Sequence, residues 1–229
     1  MRKRTWAFIG GAIVVVLAAG GGVAYQMRAQ AIAEGQCELN RAYIAEHGPI
    51  ITTGDGVTSV ALLGDSYSRG DGLTDYADAW PNQLDRGWTL HVDAVGMTGY
   101  VNGGYCGDQQ FGTRVDGLVD VAPDVLLIAG GLNDTTASAS DIADAGQNVL
   151  DATEGVATRI LVGPVDVDAR ASESDVDATL RELADENGIP YVSALDWDVQ
   201  MLPDGLHMTA EGHARYAELI GQALDQLGV

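Results

Sequence analysis

Two short segments far apart in the chain contain residue types that carry out nucleophilic catalysis. Gly64-Asp65-Ser66 follows an apolar run, and Asp204-Gly205-Leu206-His207 lies near the C-terminus. A serine hydroxyl becomes a good nucleophile when a histidine takes its proton, and an acid can orient that histidine. The three-residue spacing lets one turn present Asp204 and His207 together. The sequence therefore predicts Ser66 as nucleophile, His207 as general base and Asp204 as the orienting acid.

Acyl transfer by such a serine also requires hydrogen-bond donors for the oxyanion of the tetrahedral intermediate. The side-chain amide of Asn133 can supply one donor, and the backbone N–H of Ser66 can supply another. A further donor can come from a glycine N–H in the loop Gly96-Met97-Thr98-Gly99. The chain has no G-x-S-x-G sequence, which argues against the nucleophile turn of the α/β-hydrolases.

Alternating apolar strands and helices are predicted to position these residues. The pattern predicts strands at 57–63, 90–95, 125–129, 160–165 and 191–193, and helices at 75–86, 140–156, 172–187 and 209–227. Such alternation is typical of a parallel sheet covered on both faces, whose ligands bind beyond the carboxyl ends of the strands. Gly64-Asp65-Ser66, the loop from Gly96 and Gly130-Gly131-Leu132-Asn133 all follow strand ends. We therefore expect them to meet at one edge of the sheet.

Taken together, the motifs resemble those of the SGNH (GDSL-type) hydrolase family. Gly64-Asp65-Ser66 is similar to the first block of that family. Gly131-Leu132-Asn133-Asp134 is similar to its G-x-N-D block, and Asp204-Gly205-Leu206-His207 to its D-x-x-H block. The resemblance thus also implies that Ser66 is the nucleophile and His207 the general base.

The second block departs from the family pattern. It is usually N-x-G-x-x-G, and here the matching residues are 94–99, with Ala94 in the place of the asparagine. The oxyanion glycine of the family is the last residue of this motif. The resemblance therefore places Gly99 in the oxyanion hole beside Ser66 and Asn133, with Gly96 as the alternative.

The resemblance covers about residues 58–227 and implies a three-layer α/β/α sandwich with a flavodoxin-like parallel sheet of about five strands. It also implies hydrolysis of esters or thioesters without a metal or another cofactor. Family substrates include acetylated sugars, lipids and acyl thioesters. Because the connections are short and no insertion is long enough for a lid, we expect a shallow, open site.

The N-terminal residues predict an export signal. Arg2-Lys3-Arg4 precedes an uncharged stretch from Trp6 to Tyr25, which is long enough to span a bilayer. The positive-inside rule then puts the rest of the chain outside the cytoplasm. An uncleaved anchor and a cleaved signal peptide both remain open, although the length of the stretch favours the anchor. The predicted organisation is a signal anchor or signal peptide at 1–28, an extracytoplasmic segment and linker at 29–57, and the hydrolase domain at 58–229.

The charge balance argues against nucleic acid as a partner. The net charge is −21, from 33 acidic and 12 basic residues, and no acid occurs in the first 28 positions. The rest of the chain carries −25, because 8 basic residues oppose all 33 acids. Such a body repels phosphate backbones. The sequence indicates neither a protein partner nor an oligomeric state.

The two cysteines, Cys37 and Cys106, predict a disulfide bond if the domain lies outside the cytoplasm. The bridge would close a loop of about 70 residues and, in the chain-entropy account, stabilise the fold by roughly 4 kcal/mol. It would also fix the N-terminal segment to a loop near the predicted site.

Three functions are compatible with these residues. The first is an extracytoplasmic esterase that cleaves small-molecule or glycan esters, and its location favours carbohydrate or cell-envelope substrates. The second is an O-acyltransferase that uses the same side chains to acylate a sugar hydroxyl. The third is a non-catalytic, surface-anchored glycan-binding module, against which the complete set of Ser66, His207, Asp204 and Asn133 argues.

Overall fold

A computed structural model describes the backbone of residues 6–84 and 86–229 and the side chains of residues 25–84 and 86–229. Its α-helices are α1 (Trp6–His47), α2 (Ser66–Arg69), α3 (Phe111–Val119), α4 (Ala139–Ala152), α5 (Glu173–Asn187) and α6 (Ala210–Leu227). Its strands are β1 (Ile51–Thr53), β2 (Ser59–Gly64), β3 (Thr89–Ala94), β4 (Val125–Ala129), β5 (Thr158–Val162) and β6 (Tyr191–Val192). Short 3-10 helices occur at Tyr76–Asp78, Trp80–Gln83 and Leu132–Asp134.

The strands form one sheet in the order β1-β3-β2-β4-β5-β6. The edge strand β1 is antiparallel to β3, and the other neighbours are parallel. The five parallel strands thus have the flavodoxin-like order, as expected. Gly64 pairs with Ala94 on one side and with Ala129 on the other, so β2, β3 and β4 end at the same level. The loops that follow these strands therefore lie side by side.

Helices cover both faces of the sheet, which explains why its central strands are apolar without alternation. All five residues of β4 are buried. Val125, Leu127 and Ala129 pack with α6 and Trp80 on one face. Leu126 and Ile128 pack with α3, α4 and α5 on the other face. The three-layer α/β/α fold predicted from the sequence is confirmed.

The structure differs from the sequence prediction most clearly at three elements. The sheet has a sixth strand, β1, whose three residues are too few to produce a readable pattern. The segment predicted as a helix at 75–86 forms two 3-10 turns, the second with Pro81 at its start. Helix α3 was not predicted, because Gly112 and Gly117 interrupt its apolar periodicity.

The N-terminal helix α1 is attached to the domain through the segment that follows β2 and the loop that follows β3. The structure contains the Cys37–Cys106 disulfide, with a sequence separation of 69 residues. Arg69 Nη1 also donates a hydrogen bond of 2.6 Å to Asn40 Oδ1 on α1. The stretch from Trp6 to Tyr25 predicted to span a membrane lies, apart from Tyr25, outside the residues whose side chains are described. Within the described residues, none of the helices combines the length and the apolar character that crossing a membrane requires.

Candidate active site

The candidate nucleophile lies at the turn between β2 and α2. Ser66 is the first residue of α2 and is 7% exposed. The carboxylate of Asp65 caps the helix by accepting a hydrogen bond of 2.9 Å from the N–H of Tyr67. A Cβ on Gly64 would lie 2.2 Å from Ser68 Oγ, so only glycine lets α2 fold back this closely on β2. The turn thereby fixes Ser66 at the carboxyl end of the central strand.

Asp65 is itself buried beside the candidate nucleophile, at 3% exposure. Burial raises the pKa of its carboxyl to about 7, although the hydrogen bond from Tyr67 N–H acts in the opposite direction. The negative charges of Asp71 and Asp134 raise this pKa further. Asp65 therefore holds a proton in the folded state at a pH where the unfolded chain has released it.

This proton makes the stability of the fold depend on pH. Because the folded pKa lies above the unfolded value of 3.8, the free energy of unfolding falls as the pH rises from about 4 to about 7. Asp65→Asn keeps the capping oxygen and removes the titration. From pH 5 to pH 8 we expect the wild type to lose about 2 kcal/mol relative to Asp65→Asn in urea unfolding. Parallel pH curves for the two proteins would contradict this account.

The candidate base and acid occupy one turn after β6. His207 Nδ1 and Asp204 Oδ2 are 2.7 Å apart. The other carboxylate oxygen, Oδ1, accepts hydrogen bonds from the N–H groups of Leu206 and His207, at 2.9 and 3.0 Å. The hydrogen bond to the His207 side chain, and to a smaller extent the bond from the His207 N–H, lower the pKa of Asp204 to about 2. The carboxylate is therefore ionised near neutral pH and favours the His207 tautomer in which Nε2 is free to accept a proton.

The histidine turn packs against the segment that begins at Ser66. Tyr67 Oη donates a hydrogen bond of 2.6 Å to the carbonyl of Leu206. A Cβ on Gly72, just after α2, would lie 3.4 Å from His207 Cβ. No hydrogen bond joins Ser66 to His207 among the described residues. The structure thus brings the two segments into contact and leaves their reactive groups without a direct bond, as is common in enzymes without substrate.

Asn133, the candidate side-chain donor, lies in the 3-10 helix that follows β4. Its amide Nδ2 donates one hydrogen bond of 3.0 Å to the carbonyl of Thr98. Thr98 belongs to the loop between β3 and α3, residues 95–110, which contains most of the second block and is called the second-block loop below. Gly131, two residues before Asn133, has a φ of +108°, a backbone conformation that favours glycine. The contact joins the G-x-N-D block to the second-block loop. The remaining hydrogen of the Asn133 amide has no partner in the described part of the chain.

The two glycines considered for the oxyanion hole differ in their backbone N–H groups. The N–H of Gly99 donates to the carbonyl of Asn102 at 2.9 Å. The N–H of Gly96 has no acceptor among the residues described. Gly99 is nevertheless required as glycine, because a Cβ there would lie 2.2 Å from the carboxylate of Asp134. The role of Gly99 in the oxyanion hole therefore stays a prediction.

Asp134 anchors the second-block loop, a role that the sequence did not reveal. Its carboxylate accepts three backbone hydrogen bonds, of 2.8, 3.0 and 2.9 Å, from Tyr100, Val101 and Asn102. The residue is 1% exposed and lies next to Asn133. One buried carboxylate thus fixes the position of a loop more than thirty residues away in the sequence.

Arg114 on α3 is a second anchor that the sequence did not reveal. Its guanidinium forms a buried ion pair with Asp93 and donates 3.0 Å hydrogen bonds to the carbonyl of Gly64 and the hydroxyl of Thr98. It also donates to the carbonyl of Gln109 at 3.0 Å. Burial raises the pKa of Asp93 and lowers that of Arg114, and their mutual attraction opposes both changes. Arg114 thus connects the end of the nucleophile strand to the second-block loop.

Comparisons with known proteins identify the family and the fold of the chain. Residues 62–215 match the family described as GDSL-like Lipase/Acylhydrolase. No curated protein matches the sequence. A carbohydrate acetylesterase from Sinorhizobium meliloti shares the fold with a TM-score of 0.64 and 17% identity, over 74% of this chain and 99% of that chain.

Two further structures share the fold at similarly low identity. A carbohydrate acetylesterase family member from Sinorhizobium meliloti has a TM-score of 0.63 and 15% identity, over 75% of this chain and 100% of that chain. A member of the lipolytic protein G-D-S-L family from Veillonella parvula has a TM-score of 0.58 and 12% identity, over 75% and 98%. The family match includes Ser66 and His207 and covers well over half of the sequence. The chain therefore belongs to the GDSL-like lipase/acylhydrolase family and is an esterase-type enzyme.

Proposed function

We propose that this chain is an extracytoplasmic serine esterase whose catalytic residues are Ser66, His207 and Asp204. The observation that carries the proposal is the placement of the Asp204–His207 pair. Its two side chains are 2.7 Å apart, and its turn is bonded through Leu206 to the helix that begins at Ser66. A serine, an oriented histidine and an ionised acid are the parts that activate the nucleophile in acyl transfer.

In this mechanism, Ser66 Oγ attacks the ester carbonyl while its proton passes to His207 Nε2. Asp204 holds Nδ1–H and stabilises the imidazolium that forms. His207 then returns the proton to the departing alcohol, which leaves an acyl group on Ser66. A water molecule, deprotonated by His207, attacks this acyl group and releases the acid and the free serine.

The oxyanion of each tetrahedral intermediate would accept hydrogen bonds from three donors. Asn133 contributes its second amide hydrogen, since the first is bonded to Thr98. The N–H of Ser66 lies at the start of α2, where no carbonyl of the helix can accept it. The third donor is Gly99 if its bond to Asn102 is released, and Gly96 otherwise.

The proposed substrates are acyl groups on carbohydrate or cell-envelope molecules. Support comes from the fold shared with a carbohydrate acetylesterase and from the predicted export of the chain. The basic residues 2–4, the uncharged stretch that follows and the Cys37–Cys106 disulfide are all typical of an exported protein. The N-terminal stretch would act as a membrane anchor or as a cleaved signal peptide.

Asp204→Asn tests the proposed role of the acid. The amide cannot accept the Nδ1–H bond as the carboxylate does and does not stabilise the imidazolium, so kcat for a short-chain aryl acetate should fall on the order of 10²- to 10⁴-fold. Asp198→Asn is the matched control, because Asp198 is an exposed acid nearby in the sequence. Initial rates of both variants check this expectation. Equal rates for Asp204→Asn and Asp198→Asn would overturn the role of Asp204.

A further inference from the structure

Arg170 lies in the loop between β5 and α5, beside the histidine turn. The N–H of the preceding residue, Ala169, donates a hydrogen bond of 3.3 Å to the carbonyl of Gly205 in that turn. The guanidinium of Arg170 donates through Nη1 to the carbonyl of Ala169 at 3.1 Å. Its Nη2 lies 4.0 Å from the sulfur of Met97 in the second-block loop. The side chain of Arg170 therefore joins two loops that belong to different strands.

The order of the strands places this contact across the mouth of the proposed active site. Met97 follows β3 and Arg170 follows β5, and the sheet order puts β2 and β4 between these strands. With neighbouring strands about 4.8 Å apart, β3 and β5 are separated by roughly 14 Å. The strands between them end at the turns that carry Ser66 and Asn133. The contact from Arg170 to Met97 therefore passes over the ends of the strands that carry the nucleophile and the oxyanion donor.

Among the arginines from residue 29 onward, Arg170 is one of two that pair with no described carboxylate. From residue 29 onward the chain has eight basic residues, all arginines, against 33 acids. Within the described residues, six of these arginines pair with a carboxylate within 4.0 Å: Arg41, Arg69, Arg86, Arg114, Arg181 and Arg215. Arg170 has no such pair in the part of the chain that the structure describes, although Asp166 and Asp168 belong to the same loop. The side-chain acceptor that its guanidinium contacts within the described residues is the thioether of Met97, at 4.0 Å, and a thioether accepts hydrogen bonds weakly.

We propose that Arg170 binds a negatively charged group of the substrate, so that the enzyme prefers esters with a carboxylate close to the scissile bond. This inference rests on the proposed function and names the substrate class of the same site. A guanidinium donates two parallel hydrogen bonds to a carboxylate, which a thioether cannot match. The strongly acidic body would otherwise repel such a substrate, so the guanidinium of Arg170 favours charged over neutral esters.

The test compares matched charged and neutral esters with the full-length protein. One pair is 4-acetoxybenzoate and 4-acetoxybenzamide, which differ in charge in the alcohol part. The other is 4-nitrophenyl monosuccinate and 4-nitrophenyl butyrate, which differ in the acyl part. The variants are Arg170→Gln and Arg170→Lys, and Arg215→Gln removes an equal charge from the exposed surface of α6 as the control. Each ratio of kcat/KM within a pair cancels effects of the variant on the chemistry itself.

In at least one pair, Arg170→Gln should lower kcat/KM about tenfold for the charged ester and less than about twofold for the neutral one. Arg170→Lys should retain part of the preference, and Arg215→Gln all of it. Added salt should weaken the wild-type preference. Unchanged ratios in both pairs, or equal losses for charged and neutral esters, would overturn the inference while hydrolysis through Ser66 stands. If the wild type hydrolysed none of the four esters and Ser66 did not react with a serine probe, the proposed function would fail as well.

Discussion

Replacing Ser66 with alanine should reduce the turnover of a short-chain aryl ester on the order of 10⁴-fold or more. The substitution removes the attacking oxygen, so only hydrolysis assisted by the oxyanion donors would remain. The side chain of Ser66 forms no hydrogen bond to another described residue, so its loss leaves no partner unsatisfied. We therefore expect the melting temperature to remain within a few degrees of the wild-type value.

Ser68→Ala is the matched control for this prediction. Ser68 is the same residue type in the same short helix and is 1% exposed. Its hydroxyl lies against Gly64, behind the turn, and the mechanism does not use it. Turnover by Ser68→Ala should stay within a few-fold of wild type. Comparable activity in Ser66→Ala and Ser68→Ala would show that Ser66 is not the nucleophile.

The largest expected effect on stability belongs to Arg114→Met. This change leaves the buried Asp93 carboxylate without its partner, so the free energy of unfolding should fall by about 3–5 kcal/mol. Arg215→Met is the control, because Arg215 pairs with Glu218 on the surface, with side chains 46% and 56% exposed. Breaking that pair should cost less than about 1 kcal/mol. Urea unfolding of both variants provides the comparison.

A double substitution separates the two roles of Arg114. Arg114→Met combined with Asp93→Leu replaces the buried pair with apolar side chains of similar volume, which should restore most of the lost stability. Turnover should remain low in this variant, since Gly64 and Thr98 have lost the donor that holds them together. Recovery of both stability and turnover would mean that Arg114 stabilises the fold without positioning the site.

The parts of the site that could be predicted from the sequence are those fixed by local structure. Ser66 follows a strand of buried residues and precedes a helix whose cap, Asp65, is its neighbour. Asp204 and His207 belong to one turn, so their spacing alone placed them together. The predicted start of the last helix near residue 209 is also local, because Thr209 caps α6 and its hydroxyl accepts a hydrogen bond of 3.0 Å from the N–H of Gly212.

The parts that could not be predicted depend on contacts between distant residues. Arg114 lies 50 positions from Gly64 and 21 from Asp93, and nothing in its immediate sequence indicates that it is buried. The role of Asp134 depends on the path of a glycine-rich loop that has no periodicity. Strand β1 forms because it pairs with β3, and its three residues have no sequence pattern that indicates a strand. Long-range burial and loop conformation therefore account for what the sequence left open.

Covalent labelling shows whether Ser66 is an activated nucleophile. The folded protein would be treated with a fluorophosphonate serine probe, and the adduct measured by intact mass and located by peptide mapping. We expect a single adduct on Ser66 that is absent in His207→Ala. An adduct on another serine, or no adduct on a folded sample, would contradict this expectation.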